Sequence, residues 1–486
     1  MSFDERADAR VGEFFSPVMK TTVLHLIGLR LRQTGFPQSR DGECSNGECL
    51  MNHSEMRLVL AGTLLTGVSY GLARFAYGLF LPSMREDVGL GPAIAGIIGS
   101  GAYVGYCLAI VASALLVERL GARRVAIAAA LVAAGGMTIV AISTSALWLA
   151  GGILFAGLST GLASPPMAQA VSTSIATARQ GRANTVINAG TSLGVAVSGP
   201  VAFVATGQWR LAYAAFAVAA LLNALLLLVT MPRANAGTGR QSGSRQEEPR
   251  GGLWRPRALM LVVAATSTGL ASAAYWTFSS DVILSRGHLG QGVANVMWIL
   301  IGVAGLAGAA TGDLVARFGL NVVHRGVLAM LALSLWLLVL SPSSLPTVFV
   351  SAGLFGAAYI MLTGVYLVWG VRLYADRPAI GLGLPFLMIA IGQVVGSPLA
   401  GYLIDSAGYT VCFVVFALIA LATLLAGYRP DEKRDERRKK VMAAREACRK
   451  PVSSEMTGST IHHFYMPAMP PLGLIDKIGR SIGDWF

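Results

Sequence analysis

The chain has 486 residues, of which 54% are hydrophobic and only 13% are Asp, Glu, Lys or Arg, about half the charged share of an average soluble domain. That composition argues against a water-soluble enzyme. The formal charge of +13 is segregated, with no lysine between Leu58 and Tyr428, so the basic excess reads as membrane topology rather than a nucleic-acid-binding surface.

Residues 1–57 read as a cytoplasmic tail. Residues 1 to 17 are acidic and polar rather than basic and then apolar, so no cleavable signal peptide is expected. Residues 1 to 50 carry no core-forming pattern, and Met51, just before the first span, is an alternative start. Cys44 and Cys49 form a C-x4-C pair with no second pair, Cys107 and Cys412 lie in apolar runs and Cys448 in a basic tail. Neither a disulfide nor a zinc site is inferred.

An apolar helix needs about 20 residues to cross about 30 Å of hydrocarbon. Breaking the chain at charges, prolines and small polar clusters places spans near 58–82, 93–117, 125–143, 147–168, 184–205 and 211–231, then near 257–279, 292–312, 325–340, 346–369, 379–403 and 410–427. The expectation is an all-α polytopic membrane protein of twelve transmembrane helices. Two six-helix bundles, 58–231 and 257–427, flank a Gly-, Arg- and Ser-rich linker, 232–256, and a basic tail follows from 428 to 486.

With the amino terminus inside, the inner loops hold fifteen arginines and the outer loops three, Arg85, Arg210 and Arg286. The positive-inside rule then puts both termini in the cytoplasm of a cell-membrane protein, a bacterial inner membrane being expected.

In span one, Arg74 is the only ionisable side chain well inside any span as drawn. Such an arginine costs about 2.5–3.5 kcal/mol at a helix centre and normally faces a bundle interior or aqueous cavity. Helical spacing puts Gly67, Tyr70, Gly71, Tyr77 and Gly78 on its face, with Leu64, Val68, Leu72 and Leu79 away from it. Span five carries Gly190-x3-Gly194-x4-Gly199-Pro200, small residues at a spacing that lets helices approach closely. Span ten carries Tyr359, Thr363 and Tyr366 at i, i+4 and i+7. A guanidinium among hydroxyls and rings suits a small carboxylate or similar anion, while an arginine held by backbone carbonyls is the structural alternative.

The two sets of six repeat at an offset of 198 residues. Gly71, Leu72, Ala73, Tyr77 and Phe80 meet Gly269, Leu270, Ala271, Tyr275 and Phe278; Leu116, Val117, Arg119 and Gly121 meet Leu314, Val315, Arg317 and Gly319; Gly194 and Pro200 meet Gly392 and Pro398. The repeat sets Thr268, Ser272, Tyr275 and Trp276 in span seven at positions equivalent to the polar face of span one.

Two parallel six-span halves with basic inner loops at these positions resemble the major facilitator superfamily over about residues 58 to 427. The segment Ala114-Leu-Leu-Val-Glu-Arg-Leu-Gly-Ala-Arg-Arg124 resembles its loop after span two, departing by Ala114 for the leading Gly, Glu118 for Asp and Ala122 for an arginine. Its repeat copy, Gly312 to Gly319, has Ala316 where the acid belongs. The resemblance implies a gating role for Glu118 and Arg119, with Arg123, Arg124 and Arg317 beside them; obedience to the positive-inside rule alone is the other reading. It also implies that the first helices of the halves face one another across a cavity, setting Tyr275 and Trp276 opposite Arg74. The span-five glycines partly resemble the motif of proton-coupled exporters but lack the glycines expected beyond Pro200. The string Gly71-Leu-Ala-Arg-Phe-Ala-Tyr-Gly78 resembles the Gly-Arg-Phe-Ala-Tyr signature of the bacterial YbfB/YjiJ-type facilitators, with Ala73 in place of Gly.

No phosphate-binding Gly-x4-Gly-Lys-Ser/Thr loop, His-Glu-x-x-His motif or nucleophile triad occurs. No enzymatic activity, cofactor or metal is expected. Asp281, at the outer end of span seven, is the nearest candidate for a coupling proton. In the tail, Leu474, Ile475, Ile478, Ile482 and Trp485 share a helical face consistent with a helix on the inner leaflet, and His462 and His463 read as linker rather than a copper site. The expected function is secondary active or facilitative transport of a small organic anion by alternating access, in a monomer in the lipid bilayer. Efflux by proton antiport and a non-transporting receptor are the alternatives.

Overall fold

The computed structural model describes residues 52–232 and 255–428, apart from Thr206, Pro256, Ala375 and Asp376, and these residues fall in one compact unit. The amino-terminal tail with Cys44, Cys49 and Met51, most of the linker, and the carboxy-terminal tail with Cys448, His462, His463 and the Leu474–Trp485 face lie outside the described residues.

Eleven helical runs are long and apolar enough to cross a membrane. In chain order they are α1 (His53–Val88), α2 (Pro92–Leu120), α3 (Ala122–Ala141), α4 (Ala146–Ser174), α5 (Thr177–Val204), α6 (Trp209–Thr230), α7 (Ala258–Ser285), α8 (Gln291–Phe318), α9 (Leu320–Leu340) and α10 (Leu345–Leu373), followed by one 45-residue run, Pro378–Ala422. That last run is two helices. As a straight rod it would be about 68 Å long at 1.5 Å per residue, yet Cys412 Sγ lies 3.5 Å from the Ala400 carbonyl oxygen, twelve residues away. The reversal falls at Gly408, at φ 84° and ψ 170°, a conformation essentially closed to residues with a Cβ. We therefore take 378–407 as α11 and 409–422 as α12, which gives twelve spans.

Local chemistry sets the ends. Asn52 caps α1 in a reciprocal box: its side-chain oxygen accepts from the Glu55 amide at 2.9 Å, and Glu55 Oε2 accepts from the Asn52 amide at 3.1 Å. Gly121 and Gly319, at φ 82° and 84°, turn the chain between α2 and α3 and between α8 and α9, matching the repeat.

Helices α1–α6 pack among themselves, as do α7–α12. The ends sort onto two faces. On the near face, where α1 begins, Glu55 pairs with Arg179 at 2.7 Å, Arg123 donates to the Leu228 carbonyl, Arg255 donates to the Leu373 carbonyl at 2.6 Å and Asn321 donates to the Tyr428 carbonyl at 2.9 Å. Each of these bonds stays within one half. On the far face, Arg210 pairs with Asp87 and donates to the Ser143 carbonyl, tying α6 to the exits of α1 and α3. Large apolar side chains such as Leu108, Val111, Leu115, Val204 and Val229 are exposed around the bundle, a belt that suits lipid rather than water.

The halves meet where α1 packs on α7, α2 on α11 and α5 on α8. The contacts sit in the far part of each helix: Gly78 lies against the Trp276 carbonyl, Gly96 against Ser397, and Gly199 against Asn295. By contrast, α4 and α10 make their substantial packing only with helices of their own halves. The bundle is thus closed between halves at the far face.

Within the halves, α1 crosses α5 at the glycines. A Cβ on Gly71 would come within 2.5 Å of the Gly194 backbone, and Gly190 lies against the Thr63 carbonyl. Gly269 and Gly392 repeat that crossing between α7 and α11. The span-five glycines therefore serve helix packing.

Candidate functional site

The middle of α1, Gly67–Phe75, is wound as a π-helix, and the Ala76 amide bonds to the Gly71 carbonyl five residues back at 3.2 Å. Such windings collect at functional sites. The wider turn also breaks the 3.6-residue wheel on which the sequence expectation rests, so side chains before and after it part company. Tyr70 remains near Arg74, its ring centroid 5.8 Å from the guanidinium carbon and its hydroxyl 2.6 Å from Ser164 Oγ on α4. Tyr77 turns into the α1–α2 contact and donates to the Ala95 carbonyl at 2.9 Å.

Arg74 itself is 6% exposed and lies at the seam between the halves. Its Nη2 donates to Gln393 Oε1 of α11 at 2.6 Å, and Gln393 Nε2 donates to the Tyr359 hydroxyl of α10 at 3.2 Å. The guanidinium is walled by Tyr103 and Tyr106, each at 4.8 Å, and by Phe75 at 5.0 Å, whose ring faces favour a cation. Arg74 Nε is buried without a hydrogen-bond partner, and among the described residues no carboxylate pairs with this arginine. It is a buried positive charge compensated by one amide oxygen and four rings.

Trp276 joins this cluster through Phe75, the two rings stacking at 4.0 Å, and meets Tyr359 edge-on at 5.2 Å. Among the described residues its Nε1 has no hydrogen-bond partner, nor has Ser192 Oγ, and both residues line a small cleft with Thr191, Ile301, Gly356 and Ile360. Thr363 bonds back to the Ile360 carbonyl at 2.6 Å and Ser272 to the Gly269 carbonyl at 2.9 Å. Tyr275 and Tyr366 sit inside the second half. Tyr275 stacks on Phe355 at 3.8 Å and bonds Ser351 at 2.9 Å, while Tyr366 bonds Thr268 at 2.6 Å and His324 at 3.1 Å. The structure thus gathers Arg74, Tyr70, Trp276 and Tyr359, seats Tyr77, Tyr275 and Tyr366 apart from them, and turns the hydroxyls of Ser272 and Thr363 back to carbonyls of their own helices.

One sequence expectation is corrected. Helix α9 begins at Leu320 directly after the Gly319 turn, earlier than the 325–340 span, so His324 lies inside a helix and is fully buried. His324 sits about one turn from the start of the helix, so Arg74 remains the ionisable side chain in the middle of a span.

Sequence reasoning passed over Gln393, Tyr103 and Tyr106. Gln393 is the only side-chain amide in α11, and the tyrosines stand at i, i+3 on a helix otherwise rich in small residues; both signals were available in a search that weighed neutral polar groups beside charges.

At the far face, Asp281 is 5% exposed. It pairs with Arg85 at the exit of α1 and accepts from the Tyr409 hydroxyl at the start of α12, so one carboxylate joins the two halves. The loop after α2 differs: among the described residues Glu118, Arg119, Arg124 and Arg317 take part in no ion pair, and Arg123 ties α3 to α6 through the Leu228 carbonyl.

Twelve spans in two repeated bundles, meeting around a buried polar cluster, define a multi-pass membrane transporter of a small-molecule substrate. The model of the Major Facilitator Superfamily matches residues 63–384 and 312–475, and the chain belongs to that superfamily. No curated protein matches it in sequence. Among solved structures, the nucleoside transporter NupG is similar at 14% identity and a TM-score of 0.61, covering 77% of this chain and 98% of that one. The xylose transporter XylE from E. coli, in a partially occluded inward open conformation, gives 15%, 0.60, 76% and 98%. A bacterial homolog of the human lysosomal transporter Spinster, inward-facing, gives 15%, 0.57, 78% and 98%. Identities this low speak for the fold alone.

Proposed function

We propose that this transporter carries a small organic anion by alternating access, with Arg74 as the recognition group. The observation that carries the reading is a buried guanidinium at the seam of the halves that has, among the described residues, an unpartnered Nε and no carboxylate beside it. A charge in a low-dielectric interior is strongly unfavourable without compensation, and a substrate carboxylate supplies it. Tyr70, Trp276 and Tyr359 border the same place and would contact the organic part of the substrate.

The fifteen arginines counted in the inner loops of the sequence, against three in the outer loops, support a cytoplasmic near face with both termini inside. The geometry is then that of a carrier shut toward the outside, its halves held by Arg85, Asp281 and Tyr409. Asp281 is the proposed coupling group: a proton on its carboxylate would dissolve the ion pair and release the outer ends. Glu118, Arg119, Arg124 and Arg317, which form no ion pair among the described residues, are proposed to close the cytoplasmic side in the opposite state.

Uptake of a labelled panel into proteoliposomes tests the reading. Lactate, benzoate and acetate are set against uridine, xylose and a cationic dye. Saturable uptake confined to one or more of the acids is expected. Uptake of the neutral or cationic compounds and none of the acids would contradict it.

A further inference from the structure

We propose that Gln393 is a built-in stand-in for the substrate anion: in the empty carrier its amide oxygen holds half of the carboxylate-binding edge of Arg74, and substrate binds by displacing it. The inference rests on the anion reading of the site.

A guanidinium offers carboxylates two parallel donors along one edge, and Nε and Nη2 form such an edge. Gln393 Oε1 sits on Nη2 at 2.6 Å, while Nε on the same edge has no partner among the described residues. An amide brings one oxygen where a carboxylate brings two, so the edge is half filled. Among the described residues the group that occupies it is neutral, leaving the buried charge without a counterion. A planar carboxylate would fill both donors and neutralise the charge, which selects for carboxylates over halides and over neutral hydroxyl compounds.

The bridge also spans the molecule. Arg74 belongs to α1 and Gln393 to α11, in opposite halves, and Gln393 is further held by Tyr359 of α10. Displacing the amide oxygen therefore removes a direct bond between halves at mid-height, while leaving Gln393 Nε2 able to stay on Tyr359. Binding and release of the halves become one event: the empty carrier is latched by its own side chain, and the anion unlatches it.

The test substitutes Gln393 in full-length protein whose five cysteines are replaced by serine and which carries Asn295→Cys at the far-face seam. Labelling by a membrane-impermeant maleimide in intact cells reports opening to the outside. Gln393→Glu, a permanent internal carboxylate, is expected to lower labelling several-fold, and Gln393→Ala to raise it; Gln393→Met replaces the alanine variant if that expresses poorly. Adding Arg74→Ala to Gln393→Glu should abolish the decrease. Equal labelling of the glutamate and alanine variants would overturn the proposal.

Uptake of lactate, benzoate and acetate gives the second readout. The alanine variant should keep at least the parent affinity for whichever acids the parent carries, and the glutamate variant should lose it at least tenfold. Loss in the alanine variant equal to that of Arg74→Ala would overturn the stand-in role and make Gln393 a plain substrate ligand. If labelling shifts as expected but the parent carries none of the acids, the stand-in role falls with the anion reading and the bridge survives only as a lock, so the two failures are distinct.

Discussion

A buried ion pair shows how single residues hold each half rigid while the halves remain separable. Glu55, 5% exposed, caps α1 and pairs with Arg179 of α5 at 2.7 Å. Arg179 is about a quarter exposed, which softens the cost of breaking the pair below that of a fully buried one. Glu55→Gln is expected to lower stability by about 1–3 kcal/mol, read as a reduced thermal midpoint in detergent with the fold retained. An unchanged midpoint would mean that the pair contributes nothing. Glu118 makes the opposite case. It stands at the near-face end of α2 and forms no ion pair among the described residues, so Glu118→Ala should slow turnover at saturating substrate more than it weakens substrate binding. Unchanged turnover at normal abundance would remove it from the cycle.

Element by element, glycine decides where helices cross and turn. Gly71 and Gly194 let α1 and α5 touch backbone to backbone, and filling either side forces helices apart, an overpacking that costs about 1–3 kcal/mol. Gly194→Val should therefore depress membrane abundance, whereas Gly353→Ala, at a position with open space around it, should not. Equal abundance would contradict the close crossing. These positions were legible in the sequence because small residues at fixed spacing, repeated at one offset, are a pattern that backbone approach imposes. The span count was legible for the same reason, apolar length being set by bilayer thickness. The site was less so. Arg74 stands out as a charge in an apolar run, but which side chains surround it depends on the π-helical winding of Gly67–Phe75, which rotates Tyr77 away and which no residue pattern announces. Tyr366 shares a helical stripe with Tyr359, and Tyr275 takes the repeat position of Tyr77, yet neither pattern reveals whether a helix turns a side chain to the seam or to the core of its own half. Gln393 is neutral, and a search guided by charge passes over it.

At the scale of the whole molecule, the two faces are held differently. Bonds between halves gather at the far face and mid-height, and the near-face bonds named above stay within halves. If Arg85, Asp281 and Tyr409 form the outer latch, Asp281→Asn should raise labelling of an Asn295→Cys reporter from outside, by weakening the ion pair while keeping the side chain's size. No change in labelling would show that the apolar seam at Gly78, Gly96 and Gly199 suffices to close the bundle. The same labelling approach checks the membrane sidedness: cysteines at Ser242 in the linker and at Arg286, exposed just after α7, should react from opposite sides, and reaction of both from outside would contradict the assignment.

Binding of a carried carboxylate to purified, well-expressed Arg74→Ala and Arg74→Lys proteins tests the central claim most directly. Loss of the charge should relieve the cost of burying it, so the alanine variant should reach the membrane at parent abundance while its affinity falls at least a hundredfold. Lysine keeps the charge and loses the two-donor edge, and should bind weakly, between alanine and the parent. Parent affinity in the alanine variant would contradict the claim and leave Arg74 as a packing residue.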